Sequence, residues 1–157
     1  PAKGQIAIFN RSHYEDIIAV RVKKIFPDPV WKRRYKHVLD FESMLAEEGT
    51  VIIKLFLNIS KEEQKKRLES RLQDPDKLWK FCMDDLDDRN RWDEFQTAYQ
   101  DLIEKTSTPE APWYIIPADR KWYRNLVVAR LMVEKLRHLQ LSLPTPNFDP
   151  ASIIIPD

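Results

Sequence analysis

The chain has 157 residues, enough for one domain with a sizeable hydrophobic core. Its 26 basic and 25 acidic residues leave a net charge of +1, which excludes a polyanion binder that works by bulk charge, so phosphate recognition would require local clusters. The single cysteine, Cys82, excludes a disulfide framework. The sequence has neither an apolar window of roughly 18 residues nor a signal-peptide pattern, and we therefore expect a cytoplasmic protein.

The chain opens with a strand pattern followed by a helix signal. Gly4–Phe9 is an apolar run entered from a glycine, which predicts a buried strand. Ser12 and Glu15 stand at the spacing of a capping box, in which the serine hydroxyl caps an amide and the glutamate reaches back. This spacing predicts a helix that begins near His13 and ends before the prolines at 27 and 29.

The rest of the chain continues to alternate between the two patterns. The predicted elements are a helix over 31–48 ended by Gly49, a strand over 50–59, a helix from the Ser60 cap to about Gln73, a long helix from Asp84 or Asp85 to about Lys105, a strand over 112–119, a helix from about Arg120 to Leu139, and an extended, proline-punctuated tail over 144–157. Strands that alternate with helices predict an α/β fold with a mostly parallel sheet.

Ligands of such sheets bind beyond the carboxyl ends of the strands, so the residues that follow each strand are the informative ones. The first of these segments contains Asn10, Arg11 and Ser12. Two interpretations stay open for it. Either Ser12 caps a helix and Arg11 is a solvated surface charge, or Arg11 points at an anion held over the sheet edge, with Asn10 directed towards a phosphate-bound metal.

The second segment is rich in basic residues. Arg67 and Arg71 are four residues apart, so they lie on one helix face and could hold neighbouring phosphates by paired hydrogen bonds. Lys77 and Lys80 follow in the next turn. The alternative is an exposed helix with ion pairs such as Glu63 with Arg67, because charge runs usually form solvated faces.

Two further groups precede or open helices. Asp85 and Arg89 have the spacing of an ion pair at a helix start. Lys121 and Arg124 lie in the first turn of the last helix, where cations oppose the helix dipole and require a compensating anion, either Asp119 or a bound phosphate. The histidines lack metal-ligand spacing; they are His13, His37 and His138.

Three long segments carry a family resemblance. FNRSHYED, SKEEQKKRLESRLQDPDKLWKF and DLDDRNRWDEFQTAYQDLIEKTSTPEAPWYIIPADRKWYRNLVVAR resemble the second half of the polyphosphate kinase 2 family, over residues 1 to about 143. The resemblance implies a P-loop kinase fold like that of thymidylate kinase, a three-layer sandwich with a mostly parallel sheet and a helical lid. It also implies Mg²⁺-dependent transfer of the terminal phosphoryl group of inorganic polyphosphate to AMP or ADP, or the reverse. The spelling FNRSHYED, with Asn10 in place of an aspartate, resembles the branch of the family that phosphorylates both nucleoside monophosphates and diphosphates.

The resemblance also assigns roles to residues. It implies that Asn10, Arg11 and Glu15 form the catalytic group, with Asn10 standing where relatives have a carboxylate and Mg²⁺ near it, although no metal ligand is assigned within the chain. It implies a lid over about 61–92. The implied polyphosphate- and nucleotide-binding residues are Arg11, Arg67, Arg71, Lys77, Lys80, Arg89, Lys121 and Arg124.

One departure from the family is large. Members carry a G-x-x-x-x-G-K loop upstream of these segments, and glycines at 4 and 49 alone cannot supply one. We therefore expect the chain to be the C-terminal part of a longer homo-oligomeric enzyme, a dimer or tetramer with neither membrane nor nucleic-acid partners, and to be inactive alone. The sheet of this fold usually has the strand order 2-3-1-4-5. If the first strand is missing, the gap lies between two strands that are present, so the chain alone would lack the middle of its sheet. The alternatives are a non-catalytic phosphate- or nucleotide-binding remnant and an ATP-dependent P-loop nucleoside kinase.

Overall fold

The computed structural model describes residues 1–156, which form a two-stranded parallel sheet and the helices around it. The helices are α1 (Glu15–Val22), α2 (Asp28–Glu47), α3 (Lys61–Leu72), α4 (Asp84–Asn90), α5 (Trp92–Thr106) and α6 (Lys121–His138), and the strands are β1 (Lys54–Asn58) and β2 (Trp113–Pro117). Short 3-10 turns span Pro75–Lys80 and Pro150–Ser152. None of the helices in this described range is long and apolar enough to cross a membrane.

The sheet lies between two helical layers. β1 and β2 pair in parallel, with Lys54 opposite Trp113 and Asn58 opposite Pro117. Successive side chains of a strand point to opposite faces. The ring of Trp113 lies 4.9 Å from that of Tyr14, directly before α1, whereas Lys135 of α6 lies 5.4 Å from the Tyr114 ring. The layer of α1, α2 and α5 therefore covers one face of the sheet and α6 covers the other.

The hydrophobic core lies between α1, α2 and α5. Four of the eight residues of α1 are buried, and they pack against apolar side chains of α2 and α5. Burying one such side chain stabilises the fold by about 1.5–3 kcal/mol. The core cluster consists of Tyr14, Ile17, Ile18, Val20, Val22, Trp31, Tyr35, Val38, Ala98 and Leu102, with Phe95, Tyr99 and Trp113 packed against it.

Several helix boundaries confirm the sequence signals. The Ser60 hydroxyl accepts a hydrogen bond from the Glu63 amide at 3.1 Å, so α3 begins with the predicted cap. Gly49 has a φ of 82° directly after the end of α2, a left-handed conformation that glycine adopts without steric cost. α2 begins at Asp28 instead of Trp31, because Pro29 fits the first turn of a helix, where its missing N–H loses no bond.

The predicted strand over Gly4–Phe9 is wrong. These residues belong to no sheet, and Ile6, Ile8 and Phe9 are 67%, 88% and 75% exposed. A strand requires a neighbour for its backbone N–H and C=O groups, and β1 and β2 pair only with each other within residues 1–156. The apolar pattern that predicted burial is present, but no strand covers it within residues 1–156.

The predicted capping box at Ser12 is also wrong. α1 begins at Glu15, with Tyr14 in the capping position and no side-chain cap among the described residues. The Glu15 amide donates to the backbone carbonyl of Ser12 at 3.1 Å. The Glu15 carboxylate pairs with Arg11 at 3.3 Å instead of reaching back to an amide. The ion pair therefore replaces the reciprocal cap.

The single long helix predicted after Asp84 is divided into α4 and α5. Arg91 leaves helical geometry, with φ −97° and ψ 24°, and its guanidinium donates to the Val22 carbonyl at 3.0 Å. This contact joins the break to the end of α1, and a helical pattern in the sequence does not reveal it. In the tail, the predicted extended conformation is interrupted by the turn at Pro150–Ser152, and Asp157 lies outside the described residues.

Candidate functional site

The two strands end at the same edge of the sheet, and the loops that follow are bonded to each other. The Ala118 amide donates to the Asn58 carbonyl at 2.8 Å, and the Ser60 amide donates to Asp119 Oδ1 at 2.7 Å. These bonds place the first turns of α3 and α6 beside each other. We call this region, residues 58–60 and 117–120 with the two helix N-termini, the carboxyl edge.

The carboxyl edge combines two helix N-termini with side chains of both charges. The N-termini direct backbone amides and the positive ends of their dipoles to it. The Glu63 amide is capped by Ser60, and Glu62 and Glu63 lie in the first turn of α3. The first turn of α6 contains no acidic residue and includes Lys121 and Arg124, and the latter donates to Asn125 Oδ1 at 2.9 Å. One oxygen of the nearby Asp119 carboxylate is engaged by the Ser60 amide. The arrangement is suited to an anion such as phosphate.

Arg67 joins α3 to the loop after β2. Its Nε donates to Glu63 Oε1 at 2.8 Å, and its Nη2 donates to the carbonyls of Ala118 at 2.7 Å and Asp119 at 3.2 Å. The sequence alternative of an ion pair with Glu63 is therefore correct for this side chain. The pair does not lie on a solvated face, because the guanidinium spans the carboxyl edge and fixes the spacing of its two loops.

Two other predicted binding arginines hold α3 and α4 together. Arg71 lies 3.3 Å from Asp85 Oδ2, and Arg89 donates to the Lys61 carbonyl at 2.7 Å and to Gln64 Oε1 at 2.9 Å. The predicted pairing of Asp85 with Arg89 is thus replaced by contacts between the two helices. α3, the turn and α4 form a unit tied by its own arginines.

The turn between these helices carries the predicted binding lysines. Lys77 forms an ion pair with Asp74, and Lys80 lies 4.9 Å from the centroid of the Trp79 ring. The Trp79 indole is 78% exposed and donates its Nε1 hydrogen to the Asp76 carbonyl at 3.0 Å. Both lysines therefore lie on an exposed turn whose one large aromatic ring has a fixed orientation.

Asn10, Arg11 and Glu15 lie on the α1 side of the molecule. Arg11 has a φ of 73° and a side chain that is 80% exposed, paired with Glu15. Burial raises the pKa of Tyr99, the negative charge of Glu15 raises it further, and Arg11 opposes the rise. Since the Tyr99 ring lies 4.9 Å from that of Phe56, this turn is close to β1 on the α5 side of the sheet.

The predicted site residues thus form three groups. Arg67 spans the carboxyl edge, and Lys121 and Arg124 lie in the helix turn that begins there. Arg71, Lys77, Lys80 and Arg89 belong to the unit of α3, turn and α4, and Asn10, Arg11 and Glu15 form the third group. Lys23 Nζ lies 2.8 Å from Asp88 Oδ1, which ties the end of α1 to α4. The first and second groups share α3, and this ion pair connects the second to the third.

Sequence reasoning missed a buried polar network next to the third group. Lys54 Nζ donates to Glu42 Oε2 at 2.7 Å, to Tyr14 Oη at 3.1 Å and to the Thr106 carbonyl at 2.6 Å. Lys54 and Glu42 are only 5% and 4% exposed. Burial lowers the pKa of Lys54, and Glu42 opposes this shift. The available signal was a lysine inside the apolar run TVIIKLFLNI.

The donor set fits a divalent metal only in a limited way. Residues 1–156 contain no group of three or more His, Cys, Asp or Glu side chains that could hold a metal ion. Asn10 offers one neutral amide oxygen, whereas the Glu15 carboxylate is paired with Arg11. Because Mg²⁺ is commonly bound through one or two carboxylates together with substrate phosphates, these residues fit an ion held mainly by phosphate oxygens.

Comparison with known proteins decides the family. Residues 1–143 match the family described as Polyphosphate kinase 2 (PPK2). The chain belongs to the polyphosphate kinase 2 family. The resemblance read from the three sequence segments is thereby confirmed.

The similarity to individual members is high but covers only part of their length. The chain is 53% identical over 155 residues to the AMP/ADP-polyphosphate phosphotransferase of Meiothermus ruber, covering 99% of this chain and 58% of that protein. It is 37% identical to the ADP-polyphosphate phosphotransferase of Rhodopseudomonas palustris, covering 92% and 54%. The crystal structure of polyphosphate kinase 2 from Arthrobacter aurescens TC1 matches with a TM-score of 0.92 and 47% identity, over 97% of this chain and 54% of that one. The chain thus spans about half the length of these relatives.

Proposed function

We propose that the chain is the C-terminal part of a polyphosphate:nucleotide phosphotransferase that moves the terminal phosphoryl group of inorganic polyphosphate to AMP or ADP, or the reverse. The observation that carries the proposal is the carboxyl edge, where two helix N-termini lie beside Arg67, Lys121 and Arg124. The names of the relatives from Meiothermus ruber and Rhodopseudomonas palustris support the donor and the acceptors.

The reaction requires mainly positioning and neutralisation of charge. An oxygen of the terminal phosphate of the nucleotide attacks the terminal phosphorus of polyphosphate, the bridging P–O bond breaks, and the polyphosphate leaves one phosphate shorter. Negative charge accumulates on the transferred group and on the leaving oxygen. Cations fixed at the carboxyl edge stabilise this charge without reorganising, because the Arg67 contacts already hold the two loops in place.

The unit of α3, turn and α4, residues about 61–92, acts as the lid. Arg71 and Arg89 hold its helices to each other, and Arg67 anchors α3 at the carboxyl edge, so closure would move the exposed turn relative to that anchor. Lys77 and Lys80 bring positive charge to its exposed turn. Closure of the turn over the phosphates would exclude water and add cations to the site.

Asn10, Arg11 and Glu15 complete the catalytic group. Arg11 binds a phosphate, and Glu15 orients its guanidinium through the 3.3 Å ion pair. Asn10 would offer its amide oxygen to a Mg²⁺ ion, which would supply neutralisation of phosphate charge. The fold proposed for the whole protein is that of a P-loop kinase.

The rest of that fold lies in a preceding segment with the P-loop. Two observations support this segment. The chain spans 58% of the Meiothermus ruber relative, and the apolar residues Ile6, Ile8 and Phe9 are exposed. The whole protein is proposed to be a cytoplasmic homo-oligomer, a dimer or tetramer.

An assay of the full-length protein tests the proposal. We expect ATP from ADP, and ADP from AMP, when polyphosphate and Mg²⁺ are supplied. Binding of polyphosphate without turnover would instead identify a non-catalytic module. Phosphorylation of a nucleoside or nucleotide by ATP with no response to polyphosphate would identify an ATP-dependent kinase, and either result refutes the proposed reaction.

A further inference from the structure

Arg11 has an unusual backbone conformation for its place in the chain. Its φ of 73° lies in the left-handed region, which is unfavourable for residues other than glycine. The other two non-glycine residues with positive φ in the described range, Lys24 and Gln140, each follow the end of a helix, where this conformation is common. Arg11 precedes a helix, so helix termination does not account for its conformation.

The contacts that hold this turn lie on its C-terminal side. The preceding residues Ile8 and Phe9 are exposed, and the only ion pair of the Arg11 side chain within residues 1–156 is with the half-exposed Glu15 carboxylate. Tyr14, three residues further on, is 6% exposed. The first firmly buried residue next to the turn is therefore Tyr14.

Tyr14 is fixed through its hydroxyl and through its ring. The hydroxyl donates to Glu42 and accepts from Lys54 Nζ at 3.1 Å. The ring stacks on His13 at 4.6 Å between centroids and meets Trp113 edge-on at 4.9 Å. Through these partners the residue is attached to α2 and to both strands.

The network around the hydroxyl is closed by the end of α5. Lys54 Nζ also donates to the carbonyl of Thr106, the last residue of that helix, at 2.6 Å. Glu42 accepts from both Tyr14 and Lys54. A buried network with each member bonded is rigid, and a residue attached to it has little freedom to move.

We infer that Tyr14 is a positioning residue for Arg11: its bond to the buried pair of Glu42 and Lys54 fixes the start of α1 and thereby holds the Arg11 turn in its left-handed conformation. The inference rests on the proposed function, because it assigns Arg11 to the phosphate. A displacement of about 1 Å in a positioned group can lower a rate by about a hundredfold. Loss of the hydroxyl alone, which leaves the ring in place, should have a smaller effect.

A double-mutant cycle in the full-length enzyme tests the inference. Tyr14→Phe should lower kcat for phosphotransfer about tenfold in the wild-type background. In the Arg11→Ala background the same substitution should change kcat less than twofold, because the group it positions is absent. Equal factors in the two backgrounds, or an unchanged kcat for Tyr14→Phe alone, would overturn the inference.

Val38→Ala is the matched control. Val38 lies one turn before Glu42 on α2 and is buried in the same core, but it forms no part of the polar network. Its substitution should lower the thermal midpoint and leave kcat unchanged at a temperature where the enzyme is folded. A loss of kcat equal to that of Tyr14→Phe would mean that general loosening of the core explains the effect.

A second measurement separates this inference from the proposed function. The amides of residues 15–18 donate to backbone carbonyls of residues 12–14. Their hydrogen exchange should be faster in Tyr14→Phe than in the wild type, and equal exchange refutes the positioning role without reference to activity. Wild-type activity of Arg11→Ala refutes the catalytic assignment of Arg11, whatever Tyr14 does. If Tyr14→Phe does not fold, Glu42→Gln replaces it in the same cycle, with the same outcomes required.

Discussion

Replacing Arg67 with alanine should lower both the stability and the activity of the full-length enzyme. The guanidinium is bonded to Glu63 on its own helix and to two backbone carbonyls in the loop after β2. It is therefore a structural link between α3 and that loop. It is also a cation at the edge where we place the phosphates, so the two roles have to be separated by experiment.

The expected loss of stability follows from these contacts. A hydrogen bond from a charged donor contributes about 1.5–3 kcal/mol when buried. The side chains of Arg67 and Glu63 are 26% and 20% exposed, so water can reach the groups that the substitution leaves without a partner. The ion pair within one helix contributes about 0.5 kcal/mol. We therefore expect Arg67→Ala to lower the free energy of unfolding by about 2 kcal/mol.

Urea denaturation and steady-state kinetics together measure the two effects. In kinetics at a temperature well below the unfolding transition, kcat with saturating polyphosphate and ADP should fall by about a hundredfold, the usual effect of removing one preorganised donor. Arg130→Ala is the matched control. Arg130 is an exposed arginine on α6, nine residues after Lys121 and thus about 13 Å along the helix from the carboxyl edge.

Three results would refute this reasoning. Wild-type kcat with reduced stability would show that Arg67 is a structural link alone and that the phosphate is bound elsewhere. Wild-type stability would show that the bonds to Ala118 and Asp119 do not form in solution. A large loss of kcat in Arg130→Ala would show that the assay responds to net charge and not to the carboxyl edge.

The other predictions concern the buried pair and the dependence of stability on pH. Lys54→Met should destabilise the enzyme by about 3–5 kcal/mol in urea denaturation, since it leaves the Glu42 carboxylate buried without its cation, and a loss below about 1 kcal/mol would contradict the burial of this pair. A hydrogen bond from Arg21, 2.5 Å from Asp101, holds the pKa of that carboxyl below its usual range. The ion pair stabilises the folded state by about 1 kcal/mol above the usual carboxyl pKa of about 4, and this stabilisation is lost as pH falls through the lowered pKa of Asp101. Asp101→Asn should remove this pH dependence from the free energy of unfolding. An unchanged dependence of stability on pH in the variant would contradict the pairing.

The fold was predictable where local signals agree with the final contacts. Capping by Ser60, the left-handed glycine after α2 and the apolar run around β1 each act within a few residues, and they place α2, β1 and α3 correctly. The errors come from partners distant in sequence. The segment before Asn10 has the pattern of a strand without a strand beside it, and Arg91 interrupts a helix because it reaches the end of α1.

The site was predictable as a set of residues but not as a set of contacts. Position after a strand singled out the basic segments, and topology brings two of them to one edge. The partners of each arginine could not be read from spacing. Arg71 bonds to Asp85 and Arg89 to α3, a crossed arrangement that depends on how the helices pack. The network of Lys54 and Glu42 was overlooked because Lys54 lies in an otherwise apolar run, whereas Glu42 is one of many charged residues of α2 and its burial follows from packing alone.

The identity of these partners determines how much charge each arginine presents to a ligand. Arg71 faces the carboxylate of Asp85, which cancels most of its field. Arg89 donates to a carbonyl and to the amide oxygen of Gln64, both neutral, and forms no ion pair within residues 1–156 while it ties α4 to α3, although the aspartates of α4 reduce its field. Arg67 is intermediate, with one carboxylate and two carbonyls. A cation that is held by neutral oxygens is oriented without losing its charge to a carboxylate. Stabilising the negative charge of a phosphoryl group in transfer requires such an oriented cation. Of these three arginines in the proposed lid, Arg89 should therefore contribute most to the attraction of polyphosphate.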